Sequence, residues 1–236
     1  MSSILAGGVE GNCENVIGGI IMAEIKKIIC FGDSNTHGYN SKTMGRFTEE
    51  ERWPKLLGKF LGEEYDVVEE GLEGRTACFD DPLFEGLCGF NYIYPCIMTH
   101  KPIDLLIIML GTNDVKARFS ATPENVAKGM DRLIQKALDT PIAFRNKPNV
   151  LLVCPPPIEE GYQNTFVFGE MGEGCIEKSR ALAPLYKEVA DLKGVHFLDA
   201  ASVEGVDMYP YDHMHLSLDA HKNLAKHLAK IIPGMV

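Results

Sequence analysis

Five short strand-like runs divide the chain from residue 24 onward, and stretches with helical spacing separate them. The apolar runs resemble strands of a parallel sheet that is buried on both faces. The predicted strands lie at Ile25–Phe31, Tyr65–Glu70, Ile103–Leu110, Asn149–Cys154 and Val195–Leu198. The predicted helices lie at Trp53–Gly62, Thr122–Leu138, Ile176–Leu192 and Ser217–Ile232. Thr122 and Ser217 are suited to cap the two helices that they begin.

The alternation of strands and helices predicts the α/β class. We expect a three-layer α/β/α arrangement around a flavodoxin-like five-stranded parallel sheet, with strand order 2-1-3-4-5. No internal repeat or linker divides the sequence, so residues 24–236 are expected to form a single domain. Residues 1–23 are interpreted as an N-terminal arm or tag and take no part in the fold prediction.

The charge and cysteine content narrow the range of partners. The formal net charge is -10, which opposes binding to nucleic acid or to an anionic membrane surface. The apolar run Leu105–Leu110 is too short to span a bilayer. Seven widely spaced cysteines without a CxxC pair indicate reduced thiols, and therefore a cytoplasmic protein without a zinc knuckle. No metal or other cofactor is expected.

Small polar residues and glycines follow the predicted strands. The segments are GDSN at Gly32–Asn35, GLEGRT at Gly71–Thr76, GTND at Gly111–Asp114 and the proline run Pro155–Pro157. Because the carboxyl ends of parallel strands share one edge of a sheet, these segments are expected to form one composite site. Glycine and asparagine also favour turns that have no chemical role.

Ser34 is the candidate nucleophile of this composite site. A serine hydroxyl needs a base, and a histidine oriented by a carboxylate is the usual one. Asp212 and His215 stand three residues apart before the final helix, with His213 as a rival base. An oxyanion hole needs donors that face the developing charge. The Ser34 N–H, a glycine N–H of GLEGRT and the Asn113 amide are candidates.

These motifs together resemble the SGNH, or GDSL, hydrolase family, and most closely its bacterial arylesterase/acyltransferase branch. The resemblance rests on GDSNTHGY, EEGLEGRT, LLIIMLGTND, CPPP and DHMH, and it spans nearly the whole chain after residue 24. It implies Ser34 as nucleophile, Asp212 as orienting acid and His215 as general base. It also implies an oxyanion hole formed by Ser34, Gly74 and Asn113, structural roles for Asp33 and Asp114, and a homo-oligomer.

The function implied by this resemblance is a serine esterase that hydrolyses small acyl esters, chiefly acetyl esters, through an acyl-enzyme, with some acyltransferase activity. A carbohydrate O-acetyl esterase of the same family is the alternative within this class. Two alternatives from other classes remain open. One is a metal-dependent hydrolase that uses Asp207, Asp212, His213 and His215. The other is a non-catalytic binding module with the same fold.

Two long connections are candidates for substrate contacts. Pro155–Gly174 contains Ile158, Phe166 and Phe168, which are too apolar for a solvated loop and could line a pocket or contact another subunit. Cys78–Pro95 is interpreted as a second insertion rich in aromatic residues. His37 stands where relatives often carry tryptophan, and it is expected to make the entrance of the pocket more polar.

Overall fold

The computed structural model describes residues 24–236, and the predicted N-terminal arm, residues 1–23, lies outside them. In chain order the strands are β1 (Lys26–Gly32), β2 (Tyr39–Asn40), β3 (Gly45–Arg46), β4 (Tyr65–Gly71), β5 (Leu105–Met109), β6 (Val150–Cys154) and β7 (His196–Asp199). The main sheet is parallel and has the order β4-β1-β5-β6-β7. This order is 2-1-3-4-5 when only its own strands are numbered, so the predicted α/β topology is confirmed. Strands β2 and β3 form a separate antiparallel pair.

Eight helices connect and cover the strands within residues 24–236. They are α1 (Ser34–His37), α2 (Trp53–Leu61), α3 (Gly89–His100), α4 (Pro123–Leu138), α5 (Phe168–Met171), α6 (Cys175–Arg180), α7 (Leu182–Lys193) and α8 (Leu218–Ile231). Short 3-10 turns lie at Ala117–Phe119, Pro141–Ala143, Tyr162–Asn164, Ala200–Ser202 and Ile232–Gly234. None of the helices in this part of the chain is long and apolar enough to cross a membrane.

The sheet separates two apolar cores because successive side chains of a strand point to opposite faces. Phe31 and Ile108 pack on one face with helices α3, α4 and α7. Cys30 and Ile107 pack on the other face with helices α2 and α8. Strands β5 and β6 are therefore apolar at every position, which is the pattern that predicted them, and β1 is apolar from Ile28 to Phe31.

Both predicted helix caps are present. Thr122 Oγ1 accepts a hydrogen bond from the Asn125 N–H at 3.3 Å, and Asn125 Oδ1 accepts one from the Thr122 N–H, which completes a capping box. Ser217 Oγ accepts from the Ala220 N–H at 3.0 Å and caps α8. The cap at Ser217, which lies two residues after His215, fixes where α8 begins.

Two segments differ from their sequence-based predictions. The second half of Cys78–Pro95 is not an irregular insertion, since α3 begins at Gly89 and continues through Pro95. Glycine and proline within this stretch hid its helical character. The helix predicted at Ile176–Leu192 is two helices, because α6 ends at Arg180 and α7 starts at Leu182.

The register of the parallel strands aligns their carboxyl ends. Gly32 at the end of β1 pairs with Gly71 at the end of β4 and with Met109 at the end of β5. The segments that follow these strands therefore start at one level of the sheet edge. The site described next lies at this edge.

Candidate active site

Ser34 is the first residue of α1 and follows β1 after a single intervening residue, Asp33. The Asp33 carboxylate accepts a hydrogen bond from the Asn35 N–H at 2.9 Å and caps the helix. The turn is tight, because a Cβ on Gly32 would stand 2.0 Å from Thr36 Oγ1 and 2.7 Å from the Met109 carbonyl oxygen. Glycine is therefore required at position 32 to bring Ser34 to the sheet edge.

The structure brings Ser34, His215 and Asp212 into one hydrogen-bonded row. His215 Nε2 lies 2.8 Å from Ser34 Oγ, and His215 Nδ1 lies 2.6 Å from Asp212 Oδ2. Asp212 is fully buried, whereas Ser34 and His215 are 6% and 5% exposed. The hydroxyl and the imidazole line a cavity of about 380 Å³, so a small molecule in that cavity can reach both.

The hydrogen bonds around Asp212 determine the tautomer of the imidazole. Burial on its own raises the pKa of Asp212, but hydrogen bonds and the charge of His215 outweigh it and hold that pKa below its usual value. Asp212 Oδ1 also accepts from the backbone N–H groups of Met214 and His215, at 3.1 and 3.0 Å. An ionised Asp212 only accepts, so the proton of the neutral imidazole is on Nδ1. Nε2 is then free to accept the hydroxyl proton of Ser34.

Asn35 holds the loop that carries His215. Its Oδ1 accepts from the Leu216 N–H at 2.8 Å, and its Nδ2 donates to the Met214 carbonyl at 3.4 Å. The two residues flanking His215 are thus bonded to the residue that follows Ser34. The Asn35 carbonyl accepts from Trp53 Nε1 at 3.1 Å, which anchors α1 to α2.

The structure places the three residues predicted to form an oxyanion hole at one cavity. Within residues 24–236, neither the Ser34 N–H nor the Gly74 N–H donates to another residue. Gly74 has a φ of +79°, a conformation that favours glycine. Asn113 Nδ2 donates to the Arg75 carbonyl at 3.2 Å and lies 3.5 Å from Asp33 Oδ2, so its amide is held in place. Ser34, Gly74 and Asn113 line the same cavity.

Buried groups behind the site fix the loops that carry these donors. Asp114 accepts from the Ala77 N–H at 2.8 Å, and burial raises the pKa of Asp114 to about 7. Burial likewise raises the pKa of Asp33 to about 6. Arg75 donates to the Gly32 carbonyl at 3.0 Å, and its guanidinium stacks 4.2 Å from the centre of the Phe31 ring. The described contacts of these three residues fit structural roles.

The predicted substrate-contact residues do not all meet at the cavity. Phe166 lines it and is half-exposed. Ile158 is fully buried in the core, and Phe168 packs against that core with its ring 5.8 Å from Tyr162, so neither lines the cavity. His37 also lies outside the lining, with Nε2 3.3 Å from Glu73 Oε1. Of the four, only Phe166 remains a candidate for substrate contact.

Eight further residues line the cavity that were not predicted individually as site residues, although all but Lys116 lie in a motif or connection described above. They are Tyr39, Glu73, Phe84, Leu87, Lys116, Glu170, Met171 and Met214. Tyr39 places its ring 4.6 Å from the imidazole of His215. Glu73 and Met214 each adjoin a predicted site residue, and Lys116 lies three residues after Asn113. Sequence proximity to predicted site residues is the signal that would have found these three.

The alternative chemistry suggested by the DHMH segment does not fit this geometry. His213 lies with Nδ1 3.2 Å from Glu159 Oε2, and its imidazole is not paired with Asp212. In the part of the chain that the structure describes, one group of three potential metal ligands converges: Glu70, Cys96 and His100. Burial, and then the charge of Glu70, raise the pKa of the Cys96 thiol to about 12, while His100 Nε2 bonds Glu70 at 2.7 Å. This group contains none of the residues that the metal hypothesis predicted as ligands.

Comparison with known proteins identifies a matching family and several similar structures. The family model for the GDSL-like lipase/acylhydrolase family matches residues 30–223. An aryl esterase from M. smegmatis is 36% identical, with a TM-score of 0.81, over 89% of this chain and all of that one. The carbohydrate acetylesterase Est24 from Sinorhizobium meliloti is 34% identical, with a TM-score of 0.80, over 89% of this chain and all of its own. No curated protein matches the sequence at a significant level.

Proposed function

The chain belongs to the GDSL-like lipase/acylhydrolase family, and we propose that it is a serine esterase that hydrolyses small acyl esters, chiefly acetyl esters, through an acyl-enzyme. One observation carries this proposal. It is the row of hydrogen bonds from Ser34 Oγ to His215 Nε2 at 2.8 Å and from His215 Nδ1 to Asp212 at 2.6 Å. A serine becomes an effective nucleophile when an adjacent, oriented base can take its proton.

In the first step, Ser34 Oγ attacks the ester carbonyl carbon while its proton passes to His215 Nε2. Asp212 stays ionised and stabilises the imidazolium that forms. The imidazolium then gives this proton to the departing alcohol oxygen, and the acyl group remains bonded to Ser34. The lowered pKa of Asp212 supports the role, because an ionised carboxylate stabilises the imidazolium and a neutral acid in its place would not.

The carbonyl oxygen becomes negative during the attack and needs donors. The Ser34 N–H, the Gly74 N–H and the Asn113 side-chain amide are proposed to supply them. Removing one such donor typically lowers the rate by about 10²–10³-fold. Gly74 and Asn113 follow β4 and β5, and Ser34 follows β1, so neighbouring strands hold the three donors at one edge.

In the second step, water loses a proton to His215 Nε2 and attacks the acyl carbon. The bond to Ser34 Oγ breaks, the acid is released, and the imidazolium returns the proton to Ser34 Oγ. An alcohol that takes the place of water gives acyl transfer instead, and we propose this as a minor activity. The cavity of about 380 Å³ fits a short acyl group together with a small alcohol.

Two further proposals concern the setting of the enzyme. The six cysteines in the described part of the chain are free thiols, which supports the proposal of a reducing, cytoplasmic environment. Phe84 and Phe166 at the cavity are about half-exposed, which supports the proposal of a homo-oligomer in which a neighbouring subunit covers part of the entrance.

Replacement of the nucleophile tests the proposed function. Ser34→Ala should lower kcat for p-nitrophenyl acetate by about 10⁴-fold or more. Its circular dichroism and unfolding midpoint should match the parent enzyme. Ser202→Ala, at an exposed turn outside the cavity, is the matched control and should keep full activity. Hydrolysis by Ser34→Ala at the parent rate would refute the mechanism, and loss of activity in EDTA would favour a metal-dependent one.

A further inference from the structure

Lys116 is a buried cation in the wall of the candidate active site. The residue retains 5% of its exposure and lines the cavity together with Ser34 and His215. Its backbone N–H donates to the Asn113 carbonyl at 3.2 Å, so the same turn carries Lys116 and the candidate oxyanion donor Asn113. Lysines are seldom buried unless a partner satisfies their charge and their three donors.

The Lys116 ammonium has a counter-ion but lacks a hydrogen-bond acceptor among the described residues. Its nearest carboxylate oxygen in the described chain is Asp81 Oδ2, at 3.8 Å, which is an ion pair but too long for a hydrogen bond. No described residue accepts a hydrogen bond from Lys116 Nζ. Asp81 Oδ2 and Arg118 Nη1 are also buried without hydrogen-bond partners in this part of the chain, although Arg118 lies 3.5 Å from Asp81. The ammonium thus has a neighbouring counter-ion, and its donors remain available to a molecule in the cavity.

The charges around the cavity favour a neutral ligand over an anion. Lys116 and Arg118 are balanced by Asp81 and by Glu170, which pairs with Arg118. Glu73 adds a further carboxylate to the cavity wall, and its only described ion pair is with His37. An incoming carboxylate would therefore meet two acidic side chains at the wall. A hydroxyl or ether oxygen could accept from the ammonium without that repulsion, and hydroxyl groups could donate to the acids.

The remaining walls suit the carbon skeleton of such a molecule. Phe84 and Phe166 line the same cavity and are 49% and 51% exposed, so each presents an open ring. Apolar walls with a few fixed polar groups are the usual composition of a small-molecule site. A polyol presents C–H groups and hydroxyl groups together, and both kinds of wall are present here.

We propose that Lys116 is the specificity-determining residue of this cavity and donates hydrogen bonds to a neutral oxygen of a polyhydroxylated alcohol. The inference rests on the proposed function: an acetyl group has no oxygen beyond its carbonyl, so the oxygen that Lys116 binds belongs to the alcohol. The preferred substrates are then acetyl esters of polyols or sugars. A site built to bond a hydroxyl discriminates against the analogue that lacks it, because its polar groups stay unpaired.

Three acetyl esters of similar size test the inference. They are n-propyl acetate, 2,3-dihydroxypropyl acetate, which adds two hydroxyl groups to the same skeleton, and 3-acetoxypropanoate, which adds a carboxylate. The parent enzyme should show a kcat/KM for the dihydroxypropyl ester about tenfold to a hundredfold above that for the propyl ester, as expected for a charge-assisted hydrogen bond. Lys116→Met should remove this preference, so that the propyl and dihydroxypropyl esters have similar kcat/KM values.

Further variants separate specificity from folding. Lys116→Arg keeps a cationic donor and should retain most of the preference. Asp81→Asn combined with Lys116→Met removes both buried charges. This double variant should also lose the preference, and it replaces Lys116→Met in the test if the single variant folds poorly. Lys226→Met, on the exposed side of α8, is the matched control and should keep all three rates.

The outcomes are distinct. An equal loss on all three esters in Lys116→Met, or no preference in the parent enzyme, would overturn the inference while leaving the esterase intact. A parent preference for 3-acetoxypropanoate that disappears in Lys116→Met would overturn the neutral ligand in favour of an anion. No hydrolysis of any ester by the parent enzyme would instead contradict the proposed function.

Discussion

Asn35 is the residue whose replacement most sharply tests how the fold positions the imidazole. Asn35→Leu keeps a side chain of similar size and removes both hydrogen bonds to the loop around His215. The hydrogen bond that Trp53 Nε1 donates to the backbone carbonyl of Asn35 does not involve the Asn35 side chain, so it survives the change. The substitution therefore releases the loop without releasing α1.

The expected magnitude follows from what is left unpaired. Leu216 is fully buried, so its N–H would lose its partner away from water. A buried donor without a partner costs about 1–3 kcal/mol, and the 3.4 Å bond to Met214 contributes little, so the free energy of unfolding should fall by roughly 1–3 kcal/mol. Because misplacement of a catalytic group by 1 Å can cost about a hundredfold in rate, kcat should fall by about tenfold to a hundredfold.

The assay measures urea unfolding together with kcat and KM for p-nitrophenyl acetate. Asn149→Leu is the matched control. Asn149 likewise makes two side-chain hydrogen bonds, both donated to carbonyls, of Asp104 and Met235, but it lies at the opposite end of the sheet. It should lose stability and keep kcat. If Asn35→Leu is destabilised like the control and retains kcat within about twofold, Asn35 does not position His215.

Two further predictions concern His221 and Gly74. Burial first, and the charge of His215 second, lower the pKa of His221 to about 3 from 6.5, so the unfolded chain binds the additional proton and stability is lost as pH falls from 6.5 towards 3. Asn in its place can still accept from the Trp53 N–H, so the advantage of the parent over His221→Asn should shrink by about 2 kcal/mol between pH 8 and pH 5, measured by urea unfolding. This double difference cancels the opposite contributions of Asp33 and Asp114, and a constant difference would contradict the buried neutral imidazole. Gly74→Ala forces a side chain into a positive φ and brings Cβ to 2.9 Å from Leu87, so it should cost about 1 kcal/mol and lower kcat about tenfold or more. Gly194→Ala, at a left-handed position with φ of +64° and open space around it, should lose similar stability at unchanged kcat, and equal kcat in both variants would remove Gly74 from the proposed oxyanion hole.

Much of the fold was predictable because the central strands are buried on both faces. Leu105–Met109 is buried at every position, and a strand in that environment has an apolar sequence without alternation. Helix α3 was missed for the opposite reason. It contains Gly89 and Pro95, residues that local propensity assigns to turns, and tertiary packing of Ile93 and Ile97 into the core holds it in place.

The candidate site was predictable where strand ends and local spacing fix positions. Ser34 lies two residues after the end of β1, and the interval between Asp212 and His215 permits a turn that brings the carboxylate to the imidazole. The residues that form the cavity walls were harder to predict from the sequence. Ile158 and Phe166 belong to one apolar loop, yet the first packs into the core and the second faces the cavity. That division depends on how the whole loop packs, which apolar composition alone does not encode.

Activation of Ser34 by His215 is the central feature of the proposed mechanism. A fluorophosphonate probe reacts with an activated serine, and peptide mapping identifies the residue that it labels. We expect rapid labelling of the parent enzyme at Ser34. In a folded His215→Ala variant, labelling of Ser34 should be slower by about 10³-fold or more. Labelling at another residue, or labelling of Ser34 in His215→Ala at the parent rate, would contradict this mechanism.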